Sequence, residues 1–340
     1  MKILVTGGCG FVGSNISLFL KSKNFKIETL DNFTRKGSKI NFKRLKESGI
    51  KNHDIDIRNC QKILNLPRYD LIIDCCAEAS VEISKIEIDR IFETNLAGTL
   101  NILKKCQKDR SNIIFLSSSR VYSINFLNAL IKNKKKRQIK KKPTVKNCFN
   151  TNEAKSLYGF TKFSSEMLIK EFSFLFDIKF IINRIGVISG PWQFGRQDQG
   201  FVSLWIWRHL ERKKLSYIGF GGNGYQMRDI IHIEDVCNLI FEQIKKINKI
   251  NNKVFNVGGG PKNTISLKNL TKKVVLITRI KIKIKKIKKT SKYDIFFYST
   301  NNSFVYKKYK WRVKKNVDQI VEDTYSWMVN NRNILKKFFQ

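Results

Sequence analysis

Histidine is nearly absent from this 340-residue chain: His53, His209 and His232 are the only three, and no two stand at HxxxH spacing. A zinc site is therefore not expected, and no metal is assigned. Disulfides are not expected either. The seven cysteines (Cys9, Cys60, Cys75, Cys76, Cys106, Cys148, Cys237) are odd in number, form no CxxC pair and lie mostly in apolar segments. That pattern predicts reduced thiols of a cytosolic protein. No apolar run is long enough to cross a bilayer. The N-terminus opens straight into the strand-like KILVTG, without the parts of a signal peptide. A cytoplasmic location is expected.

Acidic residues are scarce too. Asp and Glu number 27 against 66 Lys and Arg, a formal charge of +39. Clustered cations reward nucleic-acid binding through counterion release. Here the lysines run along the whole chain, and no nucleic-acid-binding module accompanies them. The excess reads as a composition bias at exposed positions, alongside abundant Ile and Asn, so nucleic acid is not the expected partner. A positive field also attracts a small anionic substrate. Two stretches are strongly basic, residues 132–146 and 281–289. The first reads as an exposed insertion. The second alternates Ile with Lys, as expected of a half-buried strand with a charged outer face.

What the chain does have is a core and a rhythm. Hydrophobic residues make up 42% and aromatics 12%, enough for one large domain and a smaller lobe. Strand-like runs at residues 2–7, 26–32, 71–77, 112–118 and 179–186 alternate with helical spacing at 13–22, 91–106 and 158–174. Near-continuous apolar strands between helices predict an α/β fold with a doubly wound parallel sheet. From about Pro191 the pattern loosens into Trp, Gly and aromatic clusters. A late strand near 253–259 is expected to return to the main sheet.

The first strand runs into Thr6-Gly7-Gly8-Cys9-Gly10-Phe11-Val12-Gly13. In such a GxxGxxG loop Gly7 allows the turn, Gly10 lets a pyrophosphate approach, and Gly13 lets the helix pack on the strand. The helix N-terminus then faces the phosphates. Asp31 ends the second strand, where a carboxylate binds ribose hydroxyls and repels a 2′-phosphate, favouring NAD over NADP; Arg35 and Lys36 stand nearby. Asp56 can bond an adenine amino group, and Cys76 and Ala77 can flank the dinucleotide. Ordinary strand-end packing explains these last three equally well.

Tyr158-Gly159-Phe160-Thr161-Lys162 is a YxxxK, which puts Tyr and Lys on one helical face. A phenol ionises only near pH ~10. An adjacent ammonium and a cationic nicotinamide favour the phenolate, so the Tyr can act as a base. Upstream, Leu116-Ser117-Ser118-Ser119-Arg120-Val121-Tyr122 ends a strand with hydroxyls able to bond a reacting oxygen. The glycine loop, acid, Ser-rich strand end and YxxxK come in the order such chemistry needs.

On these residues the chain resembles the extended short-chain dehydrogenases/reductases, the NAD-dependent epimerase/dehydratase family, over essentially its whole length. Within them it is most similar to the CDP-paratose 2-epimerase (tyvelose epimerase) group. That likeness is carried by DNFTRKGS (31–38), DIRN (56–59), DCCAEAS (74–80), SSSRVY, RQDQG (196–200), GGNGYQMRDIIHIEDV (221–236) and FNVGGG (255–260). The resemblance implies a Rossmann domain over 1–186 and a mainly substrate-binding lobe over 187–340. It implies NAD held by Gly7, Gly10, Phe11, Val12, Gly13, Asp31, Asn32, Asp56, Ile57, Cys76, Ala77, Asn95, Tyr158 and Lys162. Ser118, Tyr158 and Lys162 match the catalytic set. Asn95 matches an Asn supporting the cofactor region. Ser118, Ser119 and Arg228 match the substrate site, with Arg228 on a nucleotide diphosphate; a salt bridge to Asp229 or Asp235 is its other reading. A homodimer built from residues 91–106 and the Tyr158 helix is also implied.

Two departures stand out. Many relatives carry a second diphosphate-binding arginine late in the chain, where Phe296 stands here, with Lys292 near enough to compensate. Dehydratase relatives have an Asp-Glu pair after the catalytic Ser/Thr, where this chain has Ser119-Arg120. The expected activity is epimerisation of a nucleotide sugar by transient oxidation, CDP-paratose 2-epimerase-like. A UDP-hexose 4-epimerase is the first alternative. A dehydratase, a reductase or a non-catalytic RNA-binding scaffold of the same fold follow.

Overall fold

The computed structural model describes residues 1–80, 86–131, 142–196 and 199–339. Most of the basic stretch 132–146 and part of RQDQG lie outside the described residues. Seven strands build the main sheet: β1 (Lys2–Thr6), β2 (Lys26–Leu30), β3 (Lys51–His53), β4 (Leu71–Asp74), β5 (Asn112–Ser118), β6 (Phe180–Ile185) and, after a long excursion, β10 (Lys253–Val257). Their order is β10-β6-β5-β4-β1-β2-β3, and every pairing is parallel. The chain reverses its winding between β1 and β4, where a doubly wound sheet opens a crevice.

Both faces of this sheet are buried, which explains the unbroken apolar runs. Ile3, Val5, Ile114 and Phe255 pack on one side against Ile16 and Leu20 of the helix Phe11–Lys21 and Val236 and Ile240 of the helix Ile233–Lys246. Leu4, Ile72, Ile113, Phe115 and Ile182 pack on the other, against Ile102 and Leu103 of Gly98–Asp109 and Ile169 of Leu157–Phe176. Strand β4 stops at Asp74, short of the expected 71–77. The amides of Cys75 and Cys76 turn to the Thr6 hydroxyl, both at 3.2 Å, because the neighbouring strand has entered its glycine turn.

The second lobe has its own smaller sheets. Strand β9 (Met227–His232) pairs with β7 (Val187–Ser189), β11 (Thr264–Ser266) and β13 (Phe297–Tyr298). A two-stranded ribbon joins β8 (Leu215–Ile218) to β12 (Ile284–Ile287), the portion of 281–289 that forms a strand, with Lys285 and Lys286 exposed. Trp205, Trp207, Ile320, Trp327 and Phe339 form this lobe's core. No helix among the described residues is long and apolar enough to cross a membrane.

A buried polar network stitches the main sheet to the helix Leu157–Phe176. The Glu166 carboxylate, fully buried, accepts from the Ser117 hydroxyl at 2.5 Å and from Arg184 Nη2 at 2.7 Å. Arg184 also donates to the Tyr122 hydroxyl at 3.3 Å, and that hydroxyl donates to Asn256 Oδ1 at 2.6 Å. Strands β5, β6 and β10 are thereby locked to one helix. Removing one member of a buried pair leaves the other charge uncompensated. Glu166→Gln should cost about 3–5 kcal/mol of stability, measured by urea denaturation; an unchanged midpoint would contradict this account.

Candidate active site

A cleft of about 1470 Å³ runs along the carboxyl ends of the strands and under the second lobe. Its floor is the turn after β1. Gly7 adopts φ +59°, and a Cβ there would lie 3.0 Å from the Cys76 Cα. A Cβ on Gly13 would come within 2.3 Å of the Gly7 carbonyl oxygen. Gly10 caps the helix Phe11–Lys21 and contributes no side-chain cap. The first amides of that helix are thus left for a ligand, the situation in which helix N-termini hold phosphates. A bulkier loop could not form this cradle, and its shape fits a dinucleotide.

Asp31 is fixed at the end of β2 by the Cys9 amide at 3.0 Å and the Phe33 amide at 2.9 Å, while burial pushes its carboxyl above the ordinary range. Asn32 donates to Asp56 at 2.8 Å, and Arg58 holds Asp56 through its Nε and Nη2, both at 2.9 Å. Those bonds, Arg58's above all, lower the Asp56 carboxyl to about 2. Arg35 is bound to the buried Glu78 at 2.7 Å and also donates to Gln199. Its guanidinium is committed to a carboxylate, which weakens its candidacy as a 2′-phosphate receptor. Gly7, Gly10, Phe11, Val12, Gly13, Asp31, Asn32, Asp56, Ile57, Cys76 and Ala77 all line this half of the cleft.

Asn95 does not line it. The side chain is 1% exposed, in a wide π-helical turn, Phe92–Ala97, just before the helix Gly98–Asp109. It accepts from the Glu78 amide at 2.8 Å and donates to the Glu78 carbonyl and the Thr161 hydroxyl. Ser165 and Thr99 donate to its carbonyl, which the widened turn leaves available. Asn95 therefore joins the cleft wall after β4 to the helix bearing Tyr158.

Ser118, the last residue of β5, meets Tyr158, in the first turn of its helix, through a side-chain hydrogen bond. Ser156 caps that helix by accepting from the Gly159 amide at 3.1 Å. Tyr158 is half-buried, and burial pushes its phenol above the ordinary value; the Ser118 bond and the charges of Arg120 and Arg35 pull it back. Lys162 follows one turn on, 2% exposed, its ammonium 3.9 Å from the centre of the Phe115 ring. Burial lowers it, and the Asp74 carboxylate holds it up. Beside the adjacent ammonium and the cationic nicotinamide expected from the sequence, two arginines of this cleft favour the phenolate. All three residues line the cleft, as does Ser119.

The far half of the cleft belongs to the second lobe. Arg228 lines it, 14% exposed in its side chain, and binds neither Asp229 nor Asp235 but Asp294 at 3.3 Å, with the carbonyls of Met227 and Ile295. Phe296 does not stand where an arginine would face the cleft. It is 1% exposed, inside an apolar cluster with Met227, Phe297 and Phe220. Lys292 is exposed and absent from the lining; Lys289 is part of it, and so is Arg120, which follows directly on the Ser-rich strand end.

The NAD dependent epimerase/dehydratase family model matches residues 3–258. The chain belongs to that family. It is an NAD-dependent enzyme of the extended short-chain dehydrogenase/reductase type. It is 31% identical to CDP-paratose 2-epimerase of Salmonella typhi over 282 residues, 80% of this chain and 83% of that protein. It is 30% identical to a putative UDP-glucose 4-epimerase of Methanocaldococcus jannaschii over 269 residues, 78% and 79% of the two chains. The structure of a UDP-glucose 4-epimerase from Thermotoga maritima, with UDP-glucose, superposes with a TM-score of 0.81 at 25% identity, covering 98% of this chain and all of that one. The UDP-glucuronic acid 4-epimerase of Bacillus cereus, in complex with UDP-glucuronic acid and NAD, shares the fold at 22% identity, with a TM-score of 0.80 and coverage of 97% and 99%.

Adding a single methyl at Gly13 intrudes on the Gly7 carbonyl without touching Tyr158. Gly13→Ala should therefore lose bound NAD, read as the nucleotide released on denaturing the purified protein. Retention at the wild-type level would contradict the cradle.

Proposed function

We propose that this enzyme epimerises a nucleotide-activated sugar by transient oxidation, in the manner of CDP-paratose 2-epimerase. One observation carries the reading: Ser118, Tyr158 and Lys162 line the same cleft as a dinucleotide cradle, and the two residues after Ser118 are Ser119 and Arg120 rather than carboxylic acids. Bound NAD supplies a hydride acceptor for one sugar carbon and a donor for its return. The protein's part is binding and proton handling. Tyr158 Oη takes the proton of the sugar hydroxyl and gives it back after the keto-sugar has turned over. Ser118 bonds the same oxygen and orients it. The charges of Arg120 and Arg35 favour the ionised form of Tyr158, and Lys162, one helical turn on, is the cation that the YxxxK spacing adds to them. Arg228 holds the diphosphate, since a guanidinium fork matches phosphate oxygens. Gly7, Gly10, Phe11, Val12, Gly13, Asp31, Asn32, Asp56, Ile57, Cys76 and Ala77 would hold NAD, with Asn95 supporting them from behind.

A dehydration would need an acid to protonate the departing hydroxyl and a base for the carbon proton. Neither Ser119 nor Arg120 supplies that pair. A UDP-hexose 4-epimerase is the second reading, supported by the likeness to the Thermotoga maritima enzyme over nearly the whole chain. Incubation with CDP- and UDP-sugars followed by NMR separates the readings. A C2-inverted CDP-dideoxyhexose is the expected product, a C4-inverted UDP-hexose supports the second reading, and a 4-keto-6-deoxy sugar overturns both. Tyr158→Phe should lower kcat by about 10²–10⁴-fold while leaving NAD bound.

The same reading makes this a cytoplasmic enzyme supplying an activated sugar to lipopolysaccharide or polysaccharide synthesis, working as a homodimer. Ile88 and Phe160, 48% and 43% exposed, stand on adjoining helices, and Phe160 lies 5.9 Å from Phe92 between ring centres. Sedimentation velocity should give a dimer; a monomer at micromolar concentration would refute the pairing.

A further inference from the structure

Arg120 sits on the short turn Ser119–Val121 that continues β5. Its backbone is fixed on two sides. The amide donates to Ser118 Oγ at 3.1 Å, and the carbonyl oxygen lies only 2.2 Å from where a Cβ on Gly159 would be. The first turn of the Tyr158 helix therefore rests against Arg120, and glycine at 159 permits the approach. The side chain reaches away from this anchor toward the second lobe, where Nη1 donates to the Tyr293 carbonyl at 3.0 Å.

Arg228 reaches the same short segment from β9. Its Nη2 donates to the Ile295 carbonyl and to Asp294 Oδ1 at 3.3 Å. Two guanidinium groups thus converge on residues 293–295, whose terminal Cα atoms are at most about 7 Å apart. Both arginines line the cleft, as do Tyr293 and Asp294. After burial, the charge of Arg120 is the foremost cause lowering the Arg228 guanidinium, to about 10. Like charges brought together in a partly desolvated cleft repel, and an anion between them relieves the repulsion.

We propose that Arg120 is a substrate-binding residue that shares the diphosphate of a nucleotide sugar with Arg228 and takes the sugar-side phosphate. This rests on the nucleotide-sugar reading above. The assignment of phosphates follows from the anchors. Arg120 is built onto Ser118 and the Tyr158 helix, the candidate reacting centre, whereas Arg228 comes from β9 of the second lobe, away from that centre's backbone. An arginine at this place binds and aligns at once. It fixes the phosphate relative to Ser118 and Tyr158 through a few rigid backbone atoms, so the sugar hydroxyl is presented to the phenol with little freedom to miss it.

The test compares a nucleoside diphosphate with its monophosphate, which lacks the sugar-side phosphate. Calorimetric titration of NAD-loaded protein with CDP and CMP, and with UDP and UMP, gives the ratio of affinities. Wild type should prefer the diphosphate. Arg120→Ala should weaken diphosphate binding by about tenfold or more, the scale of a lost charge-assisted hydrogen bond, and leave monophosphate binding nearly unchanged. Arg120→Lys should fall between them, and it carries the same comparison if the alanine variant does not fold. Equal losses for diphosphate and monophosphate, or no loss for either, would overturn the role given to Arg120. Failure of wild type to bind either diphosphate would overturn the nucleotide-sugar reading itself.

Discussion

Parallel strands all end on the same edge, and in this molecule the candidate site lies along that edge. The glycine turn follows β1, Asp31 follows β2, Cys76 and Ala77 follow β4, and Ser118 closes β5. Each of these residues is placed by a backbone pinned on both sides by ladder hydrogen bonds, which is why loops this short can hold positions so well. The excursion between β6 and β10 then folds the second lobe over that edge. It brings Arg228 and the segment 293–295 opposite the strand ends. The loop after β2 and the helix Ser38–Glu47 that follows meet the lobe directly: a Cβ on Gly37 would lie 2.5 Å from the Phe194 ring, and the Arg44 guanidinium sits 3.8 Å from the Trp192 ring centre.

Behind the edge stands a buried polar layer. Glu166 and Arg184 are buried as a bidentate pair, with Ser117 one residue from Ser118 and Glu166 one turn beyond Lys162. A buried pair of this kind gains little net stability over an apolar pair of equal volume. Its value is directional. It ties the register of β5 to the rotation of the Tyr158 helix, and a helix free to roll by a few degrees would carry the phenol away from Ser118. Asn95 does the equivalent on the other side, connecting the wall after β4 to Thr161 of that helix. Lys105, buried with Asp109 at 2.7 Å and donating also to the Leu66 carbonyl, is a purely structural cation by the same logic.

Local rules made much of this legible. The glycine loop, Asp31, the Ser-rich strand end and YxxxK each answer to a short-range requirement of turn geometry or helical spacing, and short-range requirements can be read from one sequence. What depends on chain segments far apart could not be read in that way. Phe296 could be aligned with an arginine but not oriented, and its ring turns into an apolar cluster because Met227, Phe220 and Tyr225 surround it. The partner of Arg228 is Asp294, sixty-six residues away, rather than its sequence neighbour Asp229, whose carboxylate accepts from the amides of Gly260 and Thr300. Strand β4 ends early because Thr6 lies beside it, a fact of the sheet and not of DCCAEAS. Arg120 was legible as the residue after Ser118-Ser119, but its contact with the Tyr293 carbonyl across the cleft, 173 residues away, was not.

The choice between two reactions open to this scaffold turns on what stands next to Ser118. Elimination of water from a sugar needs a group that carries a proton near neutrality and releases it to a leaving hydroxyl. A guanidinium keeps its protons to pH above ~12 and so cannot serve. The same cation works in favour of simple oxidation and return. It lowers the cost of ionising Tyr158, against which burial acts, and it does so from a backbone position that cannot drift from Ser118. On the epimerase reading proposed above, Arg120 stands where a dehydration would need an acid, and its charge opposes the effect of burial on the Tyr158 phenol.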